Sequence, residues 1–237
     1  MSIATEIQRL RTNVNNIRQN TSDILDAIAN KGVTVPAGST LDDCAGLISQ
    51  IETGRGRIFD RVEIDGYKYP FVKIGNKYWT VENLITKNGI TEATTQSSST
   101  TPYVYTKNVY TMGYVYNFPA CEYVKNNIDL KGFRIPLEQD FIDLKNFLVE
   151  QTCTKLKSIT TWTNASGTDD YFFNALATGY FLSGSWYNPG GTVDFWTSER
   201  VDANYAKNLW LGAAQHEMII ESNVVHAGFC IRLCKDV

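Results

Sequence analysis

The chain contains two histidines, and both lie close to its C-terminus. His216 and His226 are ten residues apart, and Cys230 follows His226 by four positions. A histidine and a cysteine that meet in space can act as base and nucleophile in covalent catalysis. However, Cys230 belongs to the run Gly228–Arg232, whose apolar character predicts a buried strand, where a thiol is inert. Because neither a Gly-x-Ser-x-Gly element nor a His-x-x-x-His pair occurs, we predict no catalytic residue.

Calcium binding is the second chemistry that the sequence raises. Asp169 and Asp170 are adjacent, and two carboxylates could supply half of a calcium site. The alternative is a solvated turn after Gly167-Thr168, and this interpretation is favoured. Sugar binding through calcium would require a Glu-Pro-Asn or Trp-Asn-Asp run, and the sequence has neither. We therefore expect no metal and no cofactor.

Residues suited to binding are more numerous than residues suited to catalysis. In the run Asn208–Ala213, Leu209 and Leu211 alternate with Trp210, so Trp210 faces outward if the leucines face a core. A packed contact at the edge of the core is the alternative for Trp210, and ordinary polar loops are the alternative for its polar neighbours. Rigid aromatic anchors beside adaptable polar groups are typical of recognition surfaces. We predict a ligand-binding surface formed by Trp186, Tyr187, Asn188, Glu199, Arg200, Asn204, Tyr205, Trp210, Gln215, His216, Glu217, Asn223 and His226.

This surface needs a rigid support, and the flanking sequence indicates one. The runs Phe195–Ser198 and Ala227–Arg232 are typical of core strands. From Ile58 onward, period-two alternation predicts short strands, with hairpin turns at Asp65-Gly66 and Gly75-Asn76. One helix is predicted after Pro136, and its apolar face consists of Leu137, Phe141, Leu144, Phe147 and Leu148. The polar segment 91–101 is predicted to be a solvated, mobile loop, and the body as a whole belongs to the α+β class.

Composition excludes several functional classes. The 237 residues are 43% hydrophobic and 20% charged, as in ordinary globular proteins. The net charge is −3 and no basic stripe occurs, so we expect no nucleic-acid partner. No apolar run approaches the roughly 20 residues that a membrane span needs, so we expect no membrane insertion. The five scattered cysteines are interpreted as small buried hydrophobic residues of a protein made in a reducing cytoplasm.

The N-terminal residues carry a heptad pattern that lasts for nearly four heptads. Isoleucine, leucine, valine and threonine recur in steps of four and three, with β-branched residues at both a and d. The a positions are Ile7, Val14, Thr21 and Ile28, and the d positions are Ile3, Leu10, Ile17 and Ile24. An amphipathic helix packed on its own domain is the alternative, but strict 3.5 spacing favours self-association. We predict a parallel homotrimeric coiled coil through residues 3–28, with Glu6 and Arg11 able to pair between chains.

A connector follows this predicted stalk. Gly32 is expected to end the helix, and Thr40–Asp43 resembles a capping box with Asp in place of the usual Glu or Gln. A short helix is expected from Leu41 to Ile51, followed by a hinge at Gly54–Gly56. The pattern over about residues 1–52 resembles N-terminal attachment segments of tailed-phage and prophage structural proteins. The resemblance implies other phage tail proteins as partners and a place in the virion, at a tail tip or fibre, after assembly in the host cytoplasm.

The body resembles the Fibrobacter succinogenes major paralogous domain. Blocks typical of that family occur in order over about residues 58–237, at Ile74–Leu84, Gly113–Asn117, Gly132–Pro136, Asp170–Tyr180, Phe195–Ser198 and Gly228–Asp236. The resemblance implies a C-type-lectin-like fold, which in phage proteins often forms a receptor-binding tip. It also implies the hypothesis that a diversity-generating retroelement rewrites the C-terminal codons and leaves the scaffold intact. The family usually has Trp in place of Phe133 and Cys in place of Leu233, so a disulfide of the family's kind is not carried over to Cys234.

Taken together, the sequence predicts a C-type-lectin-like head on an N-terminal trimeric stalk. The predicted divisions are a stalk at residues 1–31, a connector at 32–57 and a ligand-binding head at 58–237. The leading hypothesis for function is a phage tail-fibre adhesin that binds a bacterial surface glycan or protein. One alternative is a structural tail or baseplate protein whose head packs on other virion proteins. A remote alternative is an enzyme with the fold of formylglycine-generating oxidases. Cys230 and Cys234 of this chain resemble the paired cysteines of those enzymes only loosely.

Overall fold

The computed structural model describes residues 3–29, 35–44, 60–106, 113–163 and 167–237. The chain divides into two compact units, Met1–Ile58 and Phe59–Val237. The first unit contains helix α1 (Ile3–Ala29), which runs through the predicted heptads. Five of the heptad side chains are between 37% and 56% exposed in the single chain: Ile7, Leu10, Val14, Ile17 and Ile24. The helix is therefore present with an uncovered apolar seam, and its self-association stays a prediction.

The C-terminal end of α1 has a partner within the chain. Ile28, the last predicted a position, is 2% exposed and packs with Cys44, while Leu25 and Val35 pack against the pair. Ile28 is thus not available to a seam between chains. Near the other end, Glu6 contacts Arg9 of the same helix at 2.5 Å. This ion pair competes with the predicted pairing of Glu6 with Arg11 of a neighbouring chain.

The described connector contains a single 3₁₀ turn, Leu41–Asp43. The Asp43 carboxylate accepts hydrogen bonds from the backbone N–H and the hydroxyl of Thr40, at 2.7 and 2.9 Å. These bonds lower the pKa of Asp43 and show that aspartate can close this cap. The predicted helix end at Gly32, most of the predicted second helix and the hinge at residues 54–56 lie outside the described residues.

The second unit is built from short strands with helices beside them. Its described helices are α2 (Phe118–Asn127), α3 (Glu138–Leu148) and α4 (Thr152–Leu156). Its described strands are β1 (Asp60–Ile64), β2 (Tyr67–Ile74), β3 (Lys77–Thr80), β4 (Thr91–Glu92), β5 (Tyr103–Tyr105), β6 (Val115–Tyr116), β7 (Tyr180–Leu182), β8 (Ser185–Tyr187), β9 (Thr192–Arg200), β10 (Tyr205–Gly212), β11 (Ile219–Val224), β12 (Phe229–Cys230) and β13 (Cys234–Asp236).

Three sheets organise these strands. One has the order β1-β2-β3-β13, the second has the order β11-β10-β9-β12-β6-β5-β4, and β7 pairs with β8 as a hairpin. Both predicted hairpin turns in the first sheet are confirmed, since Ile64 pairs with Tyr67 and Ile74 with Lys77. In the first turn, Asp65 and Gly66 both adopt positive φ, at 49° and 77°, as a type I′ turn requires.

The helix predicted after Pro136 is confirmed as α3, but its apolar face is narrower than expected. Phe141, Leu144 and Leu148 are buried, whereas Leu137 is 40% and Phe147 46% exposed. Leu137 caps the helix in an extended conformation, so its side chain leaves the helical stripe. Phe147 packs edge-on against Tyr171, with ring centroids 5.5 Å apart. The prediction that these two residues share the buried face is wrong.

Helix α2 was not predicted, although Asn117 gives a signal for it. The Asn117 side chain accepts a hydrogen bond from the Ala120 N–H at 3.1 Å, and Pro119 occupies the first turn. Asn and Pro are favoured at these two places because a helix start leaves its N–H groups free. Asn117 also donates to the carbonyls of Ser98 and Thr101, at 2.9 and 2.8 Å. The polar segment 91–101 is thus anchored at its end, and a purely solvated loop is not what the structure shows.

Two hydrophobic clusters lie on the two faces of β9 and β10. Phe195 and Leu209 belong to one cluster, and Trp196 and Ala206 belong to the other. This division follows from the alternation of side chains along each strand. The predicted core strand at Phe195–Ser198 is confirmed, since it lies within β9. In the run Ala227–Arg232 the strand is shorter than predicted, since β12 contains Phe229 and Cys230, although all six residues are buried. All five cysteines are buried free thiols, as expected for small hydrophobic residues.

Arg232 closes the scaffold from inside. Its side chain is fully buried, and its guanidinium donates to the carbonyls of Thr80 (2.8 Å) and Phe173 (2.5 Å) and to the Asn83 side chain (2.7 Å). The guanidinium also lies over the rings of Phe173 and Phe195. Burial lowers the pKa of Arg232 to about 10, a value at which the group stays charged near neutral pH. Arg232 thus ties the C-terminal run to the segments that follow β3 and precede β7.

Candidate functional site

A cleft of about 240 Å³ opens on the outer face of β9, β10 and β11. Strand pairing places Trp210 opposite Asp194 and Asn208 opposite Glu221. Because residues two apart share a face, Thr192 joins Asp194 on the same side of β9. Asp194 and Glu221 line the cleft together with Trp210. The cleft therefore combines carboxyl groups with an aromatic ring.

The two carboxyl groups share one amide. The Asn208 Nδ2 donates to Asp194 Oδ1 at 2.9 Å and to Glu221 Oε1 at 3.4 Å. Burial raises the pKa of Asp194 well above its usual range, and the nearby Glu221 charge raises it further. None of the described residues that line the cleft is Lys, Arg or His. The described lining of the cleft is therefore acidic.

The floor of the cleft holds a hydroxyl group without a partner. Thr192 is 7% exposed, and its Oγ1 has no hydrogen-bond partner among the residues that the structure describes. The Asn208 Oδ1 is also buried and has no hydrogen-bond partner among the described residues. A buried polar group that stays unpaired costs roughly 1–3 kcal/mol, so such groups usually have a reason. A ligand that supplied a partner to Thr192 would remove this cost.

The Trp210 indole lies along the sheet because Gly212 leaves room for it. A Cβ at position 212 would lie 2.7 Å from Cζ2 of the indole, closer than real Cβ contacts. Leu209 and Leu211 are fully buried, while Trp210 is partly exposed. The predicted outward orientation of Trp210 is thus confirmed, and its ring forms one wall of the cleft.

The β7–β8 hairpin contributes further residues to the lining of the cleft. Tyr180 lines the cleft and stacks on Tyr187, with ring centroids 5.4 Å apart, and Tyr187 is 42% exposed. Asn188 follows β8 and also lines the cleft. The two ends of the hairpin lie so close together that a Cβ at Gly179, just before β7, would lie 2.3 Å from the Tyr187 carbonyl oxygen at the end of β8. Trp186 packs instead against Phe181 in the core cluster of the other face.

Two predicted contact residues, Glu199 and Arg200, have partners in the scaffold. The Glu199 carboxylate accepts a hydrogen bond from the backbone N–H of Glu138, the first residue of α3. Arg200 pairs with Glu122 of α2 at 2.7 Å. These contacts fasten the two helices to the end of β9, so we leave Glu199 and Arg200 out of the candidate site.

Glu217 also serves the scaffold. Its carboxylate accepts hydrogen bonds from the Thr152 hydroxyl at 2.8 Å and from the Gln151 N–H at 2.7 Å, at the start of α4. These bonds lower the pKa of Glu217. The side chains of Gln215 and His216 are exposed in the same turn, and neither lines the cleft.

The remaining predicted residues lie away from the cleft. Asn204 and Tyr205 are exposed at the far end of β10, where Asp202 accepts both of their backbone N–H groups. His226 is partly buried, and its carbonyl accepts a hydrogen bond from the Ser97 hydroxyl at 3.4 Å. Of the 13 predicted residues, the structure thus brings Asn188, Trp210 and Asn223 together in one cleft, with Tyr187 beside it.

The family of this chain follows from a comparison with known protein families. The family model of the Fibrobacter succinogenes major domain matches residues 72–235. The chain belongs to this family. Neither the curated proteins nor the solved structures include a match to the chain. Every residue that lines the cleft falls within the matched segment, so the cleft is part of the Fibrobacter succinogenes major domain itself.

Several cleft residues of this domain were not found from the sequence. They are Tyr180, Leu182, Thr192, Asp194, Glu221 and Phe229. The pattern Thr192-Val193-Asp194-Phe195 alternates polar and apolar residues, and this alternation could have placed Asp194 outward on a strand. Its neighbours Trp210 and Glu221 become apparent only from the pairing register, which local sequence does not reveal.

The acidic pair that suggested calcium has a different environment from the one expected. The Asp169 carboxylate accepts a hydrogen bond from the Asn174 N–H at 2.6 Å, and burial raises its pKa to about 7. Asp169 is therefore not in a solvated turn, while Asp170 is exposed. Within the described ranges, no group of three or more His, Cys, Asp or Glu side chains is arranged to hold a metal ion.

Two further observations concern chemistry elsewhere in the chain. Cys230 is fully buried, and burial raises its pKa to about 12, so the thiol is protonated near neutral pH. None of the described helices is both long and apolar enough to span a bilayer.

A larger cleft of about 330 Å³ lies between β3 and α3, but two of its charged residues, Lys77 and Asp140, are already paired. The Lys77 ammonium contacts Asp140 at 3.0 Å and Asp236 at 2.6 Å. Although burial opposes ionisation, bonds from Arg134, the Leu137 N–H and Lys77 hold the pKa of Asp140 at about 2. This network ties β13 to β3 and α3, so we assign it to the scaffold.

Proposed function

We propose that this protein is a phage tail adhesin whose head binds a bacterial surface receptor in the cleft on β9, β10 and β11. The observation that carries the proposal is the cleft, which combines the partly exposed Trp210 ring with the buried Thr192 hydroxyl, a group that has no partner among the described residues. Binding sites commonly combine apolar walls with a few well-placed polar groups. The receptor is a surface glycan or a surface protein.

A C-type-lectin-like fold is part of this proposal. The pairing of the last strand, β13, with β3 supports it, because the two ends of the head then meet in one sheet. Helices α2 and α3 lie beside the long strand β9 and are fastened to its end by Arg200 and Glu199. On this scaffold the segment between β9 and β12 can change its exposed residues, as the proposed retroelement diversification would require.

Trimerisation through α1, from its start to about Ile24, is proposed from the exposed seam of the helix. An apolar stripe with five side chains between 37% and 56% exposed is costly to leave in water, and two further copies of the helix would cover it. Three heads on one stalk would convert weak single-site binding into avidity, with a gain of roughly 10²–10⁴-fold. The N-terminal segment, which resembles phage attachment segments, would dock on other tail proteins in the virion.

Binding of the full chain to bacterial cells tests the proposal. The labelled protein is mixed with a panel of species, and the bound fraction is compared with that of Trp210→Ala and Tyr205→Ala. Both variants remove a partly or fully exposed aromatic side chain from β10, but Tyr205 lies outside the cleft. We expect Trp210→Ala to reduce binding by about tenfold or more and Tyr205→Ala to bind as the unchanged chain does.

A purely structural role in the tail or baseplate predicts a different result. In that case the unchanged chain binds no cell of the panel, and both variants assemble normally into virions. Equal binding by the unchanged chain and Trp210→Ala would instead remove the cleft as the contact site. Thermal unfolding of each variant shows whether a loss of binding results from a loss of folding.

A further inference from the structure

We propose that the cleft recognises a protonated amino group, carried by an amino sugar of the bacterial envelope whose nitrogen is not acetylated. This inference rests on the proposed function and specifies its ligand. It is carried by three features of the cleft: its charge, its unpartnered hydroxyl group and its aromatic walls.

The charge of the cleft selects the sign of the ligand. Asp194 and Glu221 approach each other through the Asn208 amide, and none of the described residues that line the cleft is basic. Two carboxyl groups at one site repel each other when both are ionised, and this repulsion together with burial favours the neutral form of Asp194. An ammonium group that binds beside them offsets the Glu221 charge, favours ionisation of Asp194 and gains charge-assisted hydrogen bonds. Phosphate, uronate and other anionic groups are disfavoured for the same reason.

The aromatic walls add to the preference for a cation. Tyr180 and Trp210 line the cleft together with the carboxyl groups. A cation close to the face of an aromatic ring gains roughly 0.5–2 kcal/mol, depending on how far it is desolvated. The same ring faces also pack against the apolar face of a sugar ring. An amino sugar thus uses both properties of these side chains.

The uncharged polar groups favour a sugar over a lysine side chain. Thr192 Oγ1 is buried and without a partner among the described residues, and the Asn188 and Asn223 side chains line the rim. Sugar hydroxyls can both donate and accept hydrogen bonds, so they can satisfy all three side chains. The aliphatic stem of lysine would leave the Thr192 hydroxyl without a partner. A volume of about 240 Å³ is below the roughly 300–1,000 Å³ of clefts for drug-sized ligands, which suits a single ring.

Calorimetric titration of the full chain with four small probes tests the inference. The probes are the methyl glycosides of glucosamine, N-acetylglucosamine and glucose, and the amide of Nα-acetyl-lysine, all in buffer that contains EDTA. We expect the glucosaminide to bind at least about tenfold more tightly than the other three. Asp194→Asn and Glu221→Gln should each remove this preference, and Asp60→Asn, a distant exposed carboxylate, should keep it.

Thr192→Val gives an independent arm of the same experiment. This variant has nearly the same shape but lacks the hydroxyl, so we expect it to weaken all three sugars by about three- to tenfold and the lysine probe hardly at all. Because Glu221 is partly exposed, Glu221→Gln keeps the test decisive if Asp194→Asn does not fold.

Four outcomes would overturn the inference. They are equal affinity for all probes, no binding of any probe, lysine binding as tight as glucosaminide binding, and a glucosaminide preference that survives both carboxyl substitutions. If cleft-dependent binding to cells is retained under any of these outcomes, the ligand class is wrong and the proposed function stands. If cell binding does not depend on the cleft, the proposed function itself is contradicted.

Discussion

At the scale of single residues, the position of the Trp210 indole depends on Gly212. The ring occupies the space that a Cβ at position 212 would need. Gly212 is also held by Lys157, whose ammonium donates to its carbonyl at 3.4 Å. The backbone of Gly212 therefore cannot easily move aside, and an added methyl group has to displace the indole.

Gly212→Ala is accordingly expected to disturb the cleft without altering a polar group. Overpacking of this kind costs about 1–3 kcal/mol, and the displaced ring should weaken receptor binding. Gly191→Ala is the matched control, because a Cβ there would be at least 3.4 Å from its neighbours. Chemical denaturation and cell binding measure both effects. A Gly212→Ala chain that matches Gly191→Ala in both would contradict the proposed position of the ring.

Asp169 is a second residue whose environment has a measurable consequence. Its pKa is raised to about 7 by burial, whereas the ordinary value in an unfolded chain is near 4. The folded chain therefore holds a proton more tightly than the unfolded chain does between these two values. The contribution of Asp169 to stability is greatest below about pH 4 and is lost as the pH rises to about 7.

Asp169→Asn should remove this contribution, since asparagine keeps an oxygen that can accept the Asn174 N–H. We expect the free energy of unfolding of the variant, relative to the unchanged chain, to rise between pH 4 and pH 7 and to be level above that range. Denaturant titrations at several pH values measure the difference. The control is Asp60→Asn on the exposed part of β1, and an equal slope for both variants would refute the assignment.

The residue scale also shows how far the sequence alone could lead. The outward orientation of Trp210 was predictable, because its two sequence neighbours, Leu209 and Leu211, were expected to face the core. Asp194 was not predicted to belong to the site, because its neighbours Glu221 and Asn208 lie on other strands. Glu217 was predicted as a contact residue, but its carboxylate binds the start of α4, 65 positions earlier in the chain. The local sequence around Glu217 does not indicate this contact.

At the scale of elements, the turn between β10 and β11 is held by a buried lysine. Lys157 is 2% exposed, and its ammonium donates to the carbonyls of Ala213 at 3.0 Å and Gln215 at 3.3 Å, as well as to Gly212. It also lies over the Trp162 ring. This contact fixes the end of β10 from which the Trp210 ring extends.

Lys157→Met is expected to loosen this turn. Methionine preserves the length of the side chain but leaves the carbonyls without their donor, which should cost about 1–3 kcal/mol. Lys155→Met is the matched control, because the Lys155 ammonium donates to a single carbonyl, that of Leu148. Hydrogen exchange of residues 212–217 reports the loosening. Unchanged protection in Lys157→Met would show that other contacts suffice to hold the turn.

Elements with a strong local pattern were predictable, and elements without one were not. The two hairpins of the first sheet were predicted because Asp65-Gly66 and Gly75-Asn76 are specific turn sequences. Helix α2 was missed because its apolar residues form no simple stripe, although Asn117 and Pro119 are typical of a helix start. Leu137 was placed on the α3 face because periodicity does not distinguish a capping residue from a helical one.

At the scale of the whole molecule, the proposed association through the exposed seam of α1 would bring several heads together. The seam was predictable because a heptad repeat is a property of the local sequence. The packing of Ile28 on Cys44 was not, since it depends on how the chain turns back after α1. Association between chains would therefore extend from the start of α1 to about Ile24.

Sedimentation of the full chain at micromolar concentration tests this association. We expect a trimer, and we expect Leu10→Asp to shift the sample to monomers, because it places a charge in the apolar seam. Asn16→Asp introduces the same charge at a c position outside the seam and should remain trimeric. A monomer in the unchanged chain would refute the coiled coil, and the avidity argument would then fail.

Hydroxyl-radical footprinting of the full chain on bacterial cells tests the central claim most directly, because it reports which side chains the receptor covers. Trp210 and Tyr187 border the cleft, whereas Tyr67 is 39% exposed on the β1-β2-β3-β13 sheet. We predict that cell binding lowers the oxidation of Trp210 and Tyr187 and leaves that of Tyr67 unchanged. Protection of Tyr67 with no change at Trp210 and Tyr187 would place the receptor elsewhere and contradict binding in the cleft.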